Sequence, residues 1–345
     1  MIPARKPFVL MTAADQRSLL ADMGQPGFRV KQILRSVYER RIADWSAMTD
    51  LPLSLRDGLG AAGVSVLPAE VVGVLASGWA TKYAVRLEDG EVVEAVAMRY
   101  DYGTSVCVST QAGCKMACAF CASAEGGYAR DLTAWEMLSQ VIIAGRAPDG
   151  NLSTHVVLMG MGEPLDNYDE VIAFVHCLKE RLGISPRRVT LSTCGLVPAI
   201  NRLAGEGLPL TLSVSLHAPT DELRSRIVPI NRTYPLGDLL PAMHEYSRLT
   251  GRRVSVEYAL IRGLNDSPEM ASRLADLVKG DFHVNLIPVN PVAGKDWETP
   301  GAARVEAFRK VLSGRGVKAT LRRGLGLEID GSCGQLRRRN PVTIE

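Results

Sequence analysis

The chain lacks the segments that mark membrane and secreted proteins. No uninterrupted apolar run in its 345 residues approaches the roughly 18 residues of a transmembrane helix. The start, Met1-Ile2-Pro3-Ala4-Arg5-Lys6, is not followed by the hydrophobic region of a signal peptide. The excess of basic over acidic residues is also small. The net charge is only +3, which by itself does not indicate a nucleic-acid partner. We therefore expect a cytoplasmic protein without membrane contact.

A fourth cysteine is missing from the most informative motif of the chain. Cys114, Cys118 and Cys121 follow a C-x3-C-x2-C spacing, and the next histidine in the chain is His155. Structural zinc sites and iron–sulfur clusters usually take four protein ligands, so a cluster on this loop would keep one metal position open for a small molecule. For the 7 cysteines of a cytoplasmic chain, metal binding and catalysis are favoured over structural disulfides.

The hydrophobic pattern changes twice along the chain. Residues 12–62 show the spacing of amphipathic helices, and residues 68–100 show the alternation of antiparallel strands. The dipeptide Asp89-Gly90 predicts a hairpin between residues 83–88 and 91–98. A repeating strand–helix pattern then begins.

This repeat predicts a mostly parallel α/β fold. We predict strands at 105–111, 155–160, 189–194, 210–216, 254–261 and 283–289. We predict helices near 133–146, 168–182, 197–205, 221–227 with 236–249, 268–279 and 302–313. Thr133 and Glu136 have the spacing of a capping box at the start of the first of these helices. The short turns favour a sheet curled into a partial (β/α)6 barrel, with a flat doubly wound sheet as the alternative.

Several motifs of polar residues and glycine lie at or directly after the carboxyl ends of the predicted strands. In either fold, function is expected at the carboxyl ends of the strands. The motifs are the cysteine loop, Gly160-Met161-Gly162-Glu163-Pro164, Ser192, Ser215-Leu216-His217 and Asn290. A glycine-rich turn with a carboxylate can bring backbone carbonyls and one acceptor against a ligand ammonium group.

Three features of the chain resemble the radical S-adenosylmethionine (radical SAM) superfamily. They are the cysteine loop with an aromatic residue before its last cysteine, the Gly-Met-Gly-Glu-Pro turn and the strand–helix repeat. Further motifs resemble the RlmN/Cfr family of RNA adenine methyltransferases over essentially the whole chain. These motifs are Val106-Cys107-Val108-Ser109-Thr110-Gln111, Ser215-Leu216-His217-Ala218-Pro219, Ile227-Val228-Pro229-Ile230-Asn231, Asn285-Leu286-Ile287-Pro288-Val289-Asn290-Pro291 and Ile329-Asp330-Gly331-Ser332-Cys333-Gly334-Gln335-Leu336.

The resemblance implies a fold, cofactors and residues that bind them. Residues 1–66 would form a helical accessory RNA-binding domain, 67–99 a β-hairpin extension, 100–328 the radical SAM barrel and 329–345 a C-terminal segment. Cys114, Cys118 and Cys121 would hold one [4Fe–4S] cluster, whose fourth iron binds S-adenosylmethionine (SAM). The remaining SAM contacts would come from Gly162, Glu163, Ser192, Ser215, Leu216, His217 and Asn290.

The resemblance also implies roles for three catalytic residues. Cys333 would be methylated by one SAM, and a radical from a second SAM would activate that methyl group for addition to adenine. Glu94 would remove the adenine proton, with Glu91 as a nearby competitor, and Cys107 would attack Cys333 to release the product and leave a disulfide. Without the resemblance, Cys107 has the pattern of a buried strand residue, and Cys333 that of a residue in an ordinary turn.

Substrate and partners follow from the same resemblance. The expected reaction is methylation at C2 of adenine 2503 in 23S ribosomal RNA, together with adenine 37 of tRNAs. An electron donor such as flavodoxin or ferredoxin and a monomeric state are expected. The alternatives are Cfr-like methylation at C8 of the same ribosomal adenine and a noncatalytic iron–sulfur or zinc protein that binds RNA.

Overall fold

The computed structural model describes residues 6–147, 150–322 and 324–338 of the chain. Among these residues, no helix is both long and apolar enough to cross a membrane. The helices are α1 (Ala13–Asp22), α2 (Phe28–Tyr38), α3 (Leu53–Ala61), α4 (Ala134–Ala144), α5 (Tyr168–Leu182), α6 (Val197–Gly205), α7 (Asp221–Ile227), α8 (Leu236–Thr250), α9 (Pro268–Val278) and α10 (Ala302–Gly314).

Most strands belong to one sheet of ten strands in the order β14-β13-β12-β11-β10-β9-β6-β5-β4-β3. The strands are β1 (Lys6–Pro7), β2 (Val64–Ser65), β3 (Ala69–Ala76), β4 (Ala80–Leu87), β5 (Val92–Tyr100), β6 (Gly103–Cys107), β7 (Gln111–Ala112), β8 (Arg130–Asp131), β9 (His155–Leu158), β10 (Val189–Thr193), β11 (Thr211–Ser215), β12 (Ser255–Leu260), β13 (His283–Pro288) and β14 (Ala319–Leu321).

The strand order distinguishes the two predicted α/β architectures. β6 pairs in parallel with β9, and from β9 to β14 each strand pairs in parallel with the next one along the chain. A doubly wound sheet would reverse its order at a switch point. In a flat sheet β6 and β13 would lie roughly 24 Å apart, yet Cys107 and Ile287 from these strands line one cavity. The predicted α/β fold with a curled, mostly parallel sheet is confirmed.

Apolar and small polar residues alternate along the central strands. The apolar residues face the hydrophobic core, and the polar residues face the interior of the curled sheet. In β10, Val189 and Leu191 are fully buried in the main hydrophobic core, whereas Thr190 and Ser192 are half-buried. Because successive side chains point to opposite faces, the apolar residues pack on one face and the small polar residues line the interior. β11 repeats the alternation of hydroxyl and apolar residues, with Ser213 fully buried at its centre. Small hydroxyl residues therefore leave space inside the sheet.

The predicted helical N-terminal region is present as α1, α2 and α3. Its apolar residues continue the main hydrophobic core of the molecule. Phe8 packs edge-on against Trp45, with ring centroids 5.7 Å apart, and the Trp45 indole donates a hydrogen bond to the carbonyl of Val64 at 2.8 Å. This helical region is thereby tied to the short β1–β2 pair, whose strands run parallel.

The antiparallel part of the sheet is larger than the predicted hairpin. The hairpin β4–β5 forms as expected, but β3 precedes it, and β5 pairs antiparallel with β6. The meander therefore continues the parallel sheet directly. β3 lies within the predicted antiparallel region 68–100, whereas β14 was not predicted. The capping box at Thr133 and Glu136 is confirmed at the start of α4.

Candidate active site and cluster loop

The three clustered cysteines lie on a loop that a short antiparallel pair closes. β7 and β8 pair at the base of this loop, and Gln111 at its start donates to both Asp131 and Asp166 at 2.8 Å. Gly113 has φ +88°, and an added Cβ would lie 1.7 Å from the carbonyl oxygen of Gly127. The loop therefore requires glycine at this position.

The Gly-Met-Gly-Glu-Pro turn follows β9 and packs against the same loop. Gly162 has φ +102°, and an added Cβ would lie 2.7 Å from the Gln111 side chain. The Glu163 carboxylate is buried and accepts hydrogen bonds from the backbone N–H groups of Cys194 at 2.7 Å and Leu165 at 3.0 Å. Burial raises the pKa of Glu163, and these two N–H donors oppose that shift.

The ends of β10 and β11 bring the next predicted residues together. The hydroxyl oxygens of Ser192 and Ser215 are 3.5 Å apart. His217 has φ +60°, and its Nδ1 accepts a hydrogen bond from the backbone N–H of Ala259 at 3.0 Å. Burial and the nearby Arg224 lower the pKa of His217 to about 3, so the imidazole is neutral. Leu216 is fully buried in the main core, which leaves its backbone as the part near this site.

The smaller of two cavities joins these groups. It has a volume of about 150 Å³ and is lined by residues that include Cys114, Cys118, Cys121, Gly162, Glu163, Ser192, Ser215, His217 and Asn290. In the described part of the chain, no three cysteine, histidine or acidic side chains converge on a single ion position. The three thiols face one cavity, where each could bind a different iron of one cluster.

Cys333 lies on the wall between this cavity and a larger one. Residues 331–336 form its loop, in which the Cys333 carbonyl accepts a hydrogen bond from Asn290 Nδ2 at 2.9 Å. The carbonyl of Gly334 accepts one from the backbone N–H of Ala122, directly after the cluster cysteines, at 2.8 Å. Cys333 is exposed, but it faces the two cavities, so desolvation and the nearby Glu257 carboxylate raise the pKa of its thiol.

The larger cavity has a volume of about 470 Å³ and contains the second predicted exchange cysteine. Cys107 ends β6 and lines this cavity together with Cys333. Both cysteines are free thiols in the structure. Burial raises the pKa of Cys107, and the nearby Cys333 adds to the shift. The fold thus brings together two cysteines that are far apart in sequence.

The predicted base Glu94 lies on β5, the strand that pairs with β6. It is buried, its Oε1 is 3.3 Å from Lys82 Nζ, and its Oε2 accepts a hydrogen bond from the backbone N–H of Arg337 at 3.0 Å. The described lining of the larger cavity includes Met98 from the same strand but does not include Glu94. The competing carboxylate of Glu91 is paired with the guanidinium of Arg338.

Two buried charged residues near the site were missed from the sequence. Glu257 on β12 lines both cavities, and its Oε1 accepts hydrogen bonds from Ser213 and Asn285. Its signal is a lone acid in the otherwise hydrophobic run 256–261. Arg224 on α7 is fully buried and donates to the carbonyls of Cys194, Leu216 and Ser215, which fixes the ends of β10 and β11.

Comparison with known proteins assigns the family. Residues 108–275 match the model of the Radical SAM superfamily, and residues 10–63 match that of the Ribosomal RNA large subunit methyltransferase N-terminal domain. A "Probable dual-specificity RNA methyltransferase RlmN" from Symbiobacterium thermophilum is 48% identical over 341 residues, which cover 97% of this chain and 92% of that protein. The chain belongs to the RlmN family of radical SAM RNA methyltransferases.

Further relatives of this RlmN-family chain agree in sequence and in structure. A protein of the same description from Desulforudis audaxviator is 52% identical over 308 residues, covering 88% of this chain and 96% of that protein. The crystal structure of a radical SAM methyltransferase from Sphaerobacter thermophilus superposes with a TM-score of 0.85 at 43% identity, covering 96% of this chain and 99% of that chain. The radical SAM family implies SAM and a [4Fe–4S] cluster as cofactors.

Proposed function

We propose that this chain methylates C2 of adenine in RNA, with adenine 2503 of 23S ribosomal RNA and adenine 37 of tRNA as targets. The observation that carries the proposal is the position of Cys333 on the wall shared by the cluster cavity and the larger cavity, with Cys107 lining the latter. A group carried by Cys333 would face the cofactor on one side and a substrate base on the other. The description of the relatives as dual-specificity enzymes supports two classes of RNA substrate.

The lining of the smaller cavity supports the proposed cofactor sites. We propose that Cys114, Cys118 and Cys121 hold one [4Fe–4S] cluster, and that Gly162, Glu163, Ser192, Ser215, His217, Asn290 and the backbone of Leu216 bind SAM. When bound, these cofactors supply a methyl group for Cys333 and, from a second SAM reduced by one electron, a radical that removes hydrogen from that methyl group. A protein such as flavodoxin or ferredoxin is the proposed electron donor.

Cys333 is the proposed carrier of the new carbon. Its sulfur first gains the methyl group and loses its thiol proton, and the activated methylene then bonds to C2 of adenine. The hydrogen bonds from Asn290 to Cys333 and from Ala122 to Gly334 hold the carrier loop beside the cluster loop. This arrangement supports transfer over a short, fixed distance.

Glu94 and Cys107 are proposed to complete the reaction. The radical adduct would give up one electron to the cofactor that supplied it, together with its C2 proton. Glu94 accepts that proton once the segment around Arg337, which now donates to it, moves away. The Cys107 thiol then loses its proton and attacks the Cys333 sulfur, and the bond from that sulfur to the methylene carbon breaks as a Cys107–Cys333 disulfide forms. The released methylene carbon takes up one proton, which balances the one lost by Cys107, and becomes the methyl group of the product. An external thiol reductant must restore both cysteines before another cycle.

The test is to map the methyl group by mass spectrometry on RNA treated with reconstituted protein and SAM. We expect methyl at C2 of adenine, and no RNA methylation by Cys333→Ala, although that variant keeps its iron and still cleaves SAM. Methyl at C8 would contradict the proposed regiochemistry. Normal methylation by Cys333→Ala would contradict the carrier role.

A further inference from the structure

The larger cavity extends along the interior of the sheet to the amino ends of the strands. Cys333 and Asn290 line it near the cofactor site. His155, the first residue of β9, and Arg188, directly before β10, line it as well. The cluster loop lies at the opposite ends of these parallel strands. Because Tyr102, Arg187 and Arg188 of the lining are exposed, the cavity opens to solvent at the amino ends, and this opening is called the mouth.

An aromatic pair stands at this mouth. The rings of Tyr100 and Tyr102 are stacked, with centroids 4.9 Å apart and planes 8° from parallel. His155 packs edge-on against Tyr102 at 5.3 Å. Tyr100 is half-buried, whereas Tyr102 is 63% exposed, unusual for a large aromatic residue held in a stack. An exposed ring held rigidly by its neighbours offers a surface on which a nucleobase can stack.

Three arginines surround the same mouth. Arg187, Arg188 and Arg322 are exposed and line the cavity. Across residues 6–147, 150–322 and 324–338, none of these three guanidinium groups has an acidic partner within 4.0 Å. Burial and Arg188 lower the pKa of His155, so this ring does not add charge near neutral pH. Exposed guanidinium groups that no carboxylate neutralises are suited to phosphate oxygens.

We propose that this mouth, formed by Tyr102, Arg187, Arg188 and Arg322, binds a single-stranded stretch of the substrate RNA. One base stacks on Tyr102, the three guanidinium groups contact neighbouring phosphates, and the target base passes along the cavity to Cys333. This inference rests on the proposed function, because it takes RNA as the substrate. Single-stranded RNA is favoured over a duplex because a base must leave its stack to enter a cavity of this size.

The experiment measures binding of a fluorescent RNA stem-loop, with the target adenine in its loop, to the cluster-reconstituted full chain by anisotropy at several salt concentrations. Tyr102→Ala should weaken binding roughly tenfold, and Tyr102→Phe, which keeps the ring, should bind as the parent does. Arg322→Glu should weaken binding. It should also reduce the slope of the logarithm of the binding constant against the logarithm of the salt concentration by about one, as expected for the loss of one phosphate contact. Arg273→Glu on the outer helix α9, an exposed position with the same charge change, is the matched control.

The outcomes separate this inference from the proposed function. If Tyr102→Ala and Arg322→Glu bind RNA as tightly as Arg273→Glu, the RNA does not use this mouth and the inference is wrong. If Arg322→Glu weakens binding but Tyr102→Ala does not, the surface attracts polyanions without stacking a base, which also overturns it. Loss of binding in both variants, with iron content and RNA-independent SAM cleavage unchanged, supports it. Methylation at C8 by the parent would refute the proposed function and leave the mouth intact.

Discussion

At the scale of single residues, the buried pair of Lys82 and Glu94 connects the sheet to the loop that carries Cys333. Lys82 Nζ donates to the carbonyl of Asp330 at 3.2 Å, just before the loop, and Glu94 accepts from the backbone N–H of Arg337, just after it. Both side chains of the pair are almost fully buried. One ion pair therefore holds both ends of the segment that places Cys333.

Replacing Lys82 should destabilise the protein strongly. Lys82→Met removes a cation from beside a buried carboxylate, and the loss of one partner of a buried pair costs about 3 kcal/mol or more. Urea unfolding followed by circular dichroism measures the change. Lys318→Met, at an exposed lysine, should change stability by less than about 0.5 kcal/mol. The double variant Lys82→Met/Glu94→Gln should recover part of the loss, and equal stability of the two lysine variants would contradict this account.

Candidate functional residues could be predicted from the sequence only where their type and spacing are unusual. Cys114, Cys118 and Cys121 form such a pattern. Arg224 does not, because α7 reads as a polar surface helix, and its burial depends on the tertiary contacts of its guanidinium group. The partner of Glu94 was likewise hidden, since Lys82 alternates with apolar residues on a strand that could equally have faced solvent.

At the scale of elements, the cluster loop depends on backbone geometry as much as on its thiols. Gly113 precedes Cys114, and a side chain at this position would overlap the backbone of Gly127. We expect Gly113→Ala to displace the loop and to lower iron bound after reconstitution severalfold, while the far-ultraviolet circular dichroism spectrum stays that of the parent. Iron per chain is the measurement.

A matched glycine variant controls for the substitution itself. Gly60 lies in α3, and an added Cβ there meets nothing within 4 Å. Gly60→Ala should leave iron binding unchanged and stabilise the helix by up to about 1 kcal/mol. Full iron loading by Gly113→Ala would show that the loop tolerates a side chain at this position.

Regular elements were predictable, and irregular edge strands were not. The helix predicted at 168–182 matches α5 because its apolar periodicity is regular. β3 lies inside the predicted antiparallel region 68–100 but received no bounds of its own, because a register shift between Val71 and Gly73 breaks its alternation and its side chains are partly exposed at the edge of the sheet. β14 has only three residues, too few for a periodic signal.

At the scale of the whole molecule, the sheet brings distant segments together around two adjoining cavities that share lining residues. Cys107 comes from β6, Glu257 from β12 and Cys333 from the segment after the last strand, yet all three line the larger cavity. Periodicity predicted the strands of the parallel sheet, but not that small hydroxyl side chains would leave an interior space about 470 Å³ in volume. The volume of this cavity depends on the curvature of the whole sheet, which the local hydrophobic pattern of the sequence does not predict.

The account places Cys107 after the formation of the new carbon–carbon bond, so its removal should trap the reaction. In Cys107→Ala, Cys333 should stay joined through a methylene group to adenine, because no thiol remains to attack its sulfur. Cluster assembly and methylation of Cys333 should be unchanged, since Cys107 lines the larger cavity and not the smaller one.

The measurement that tests the account most directly is the intact mass of Cys107→Ala protein purified from cells, with and without nuclease. We predict covalently attached RNA, seen as a nuclease-sensitive mass increase that is absent from the double variant Cys107→Ala/Cys333→Ala. Protein of unmodified mass from Cys107→Ala, together with normal RNA methylation by that variant, would show that Cys107 is only a packed strand residue and that the two-cysteine mechanism is wrong for this chain.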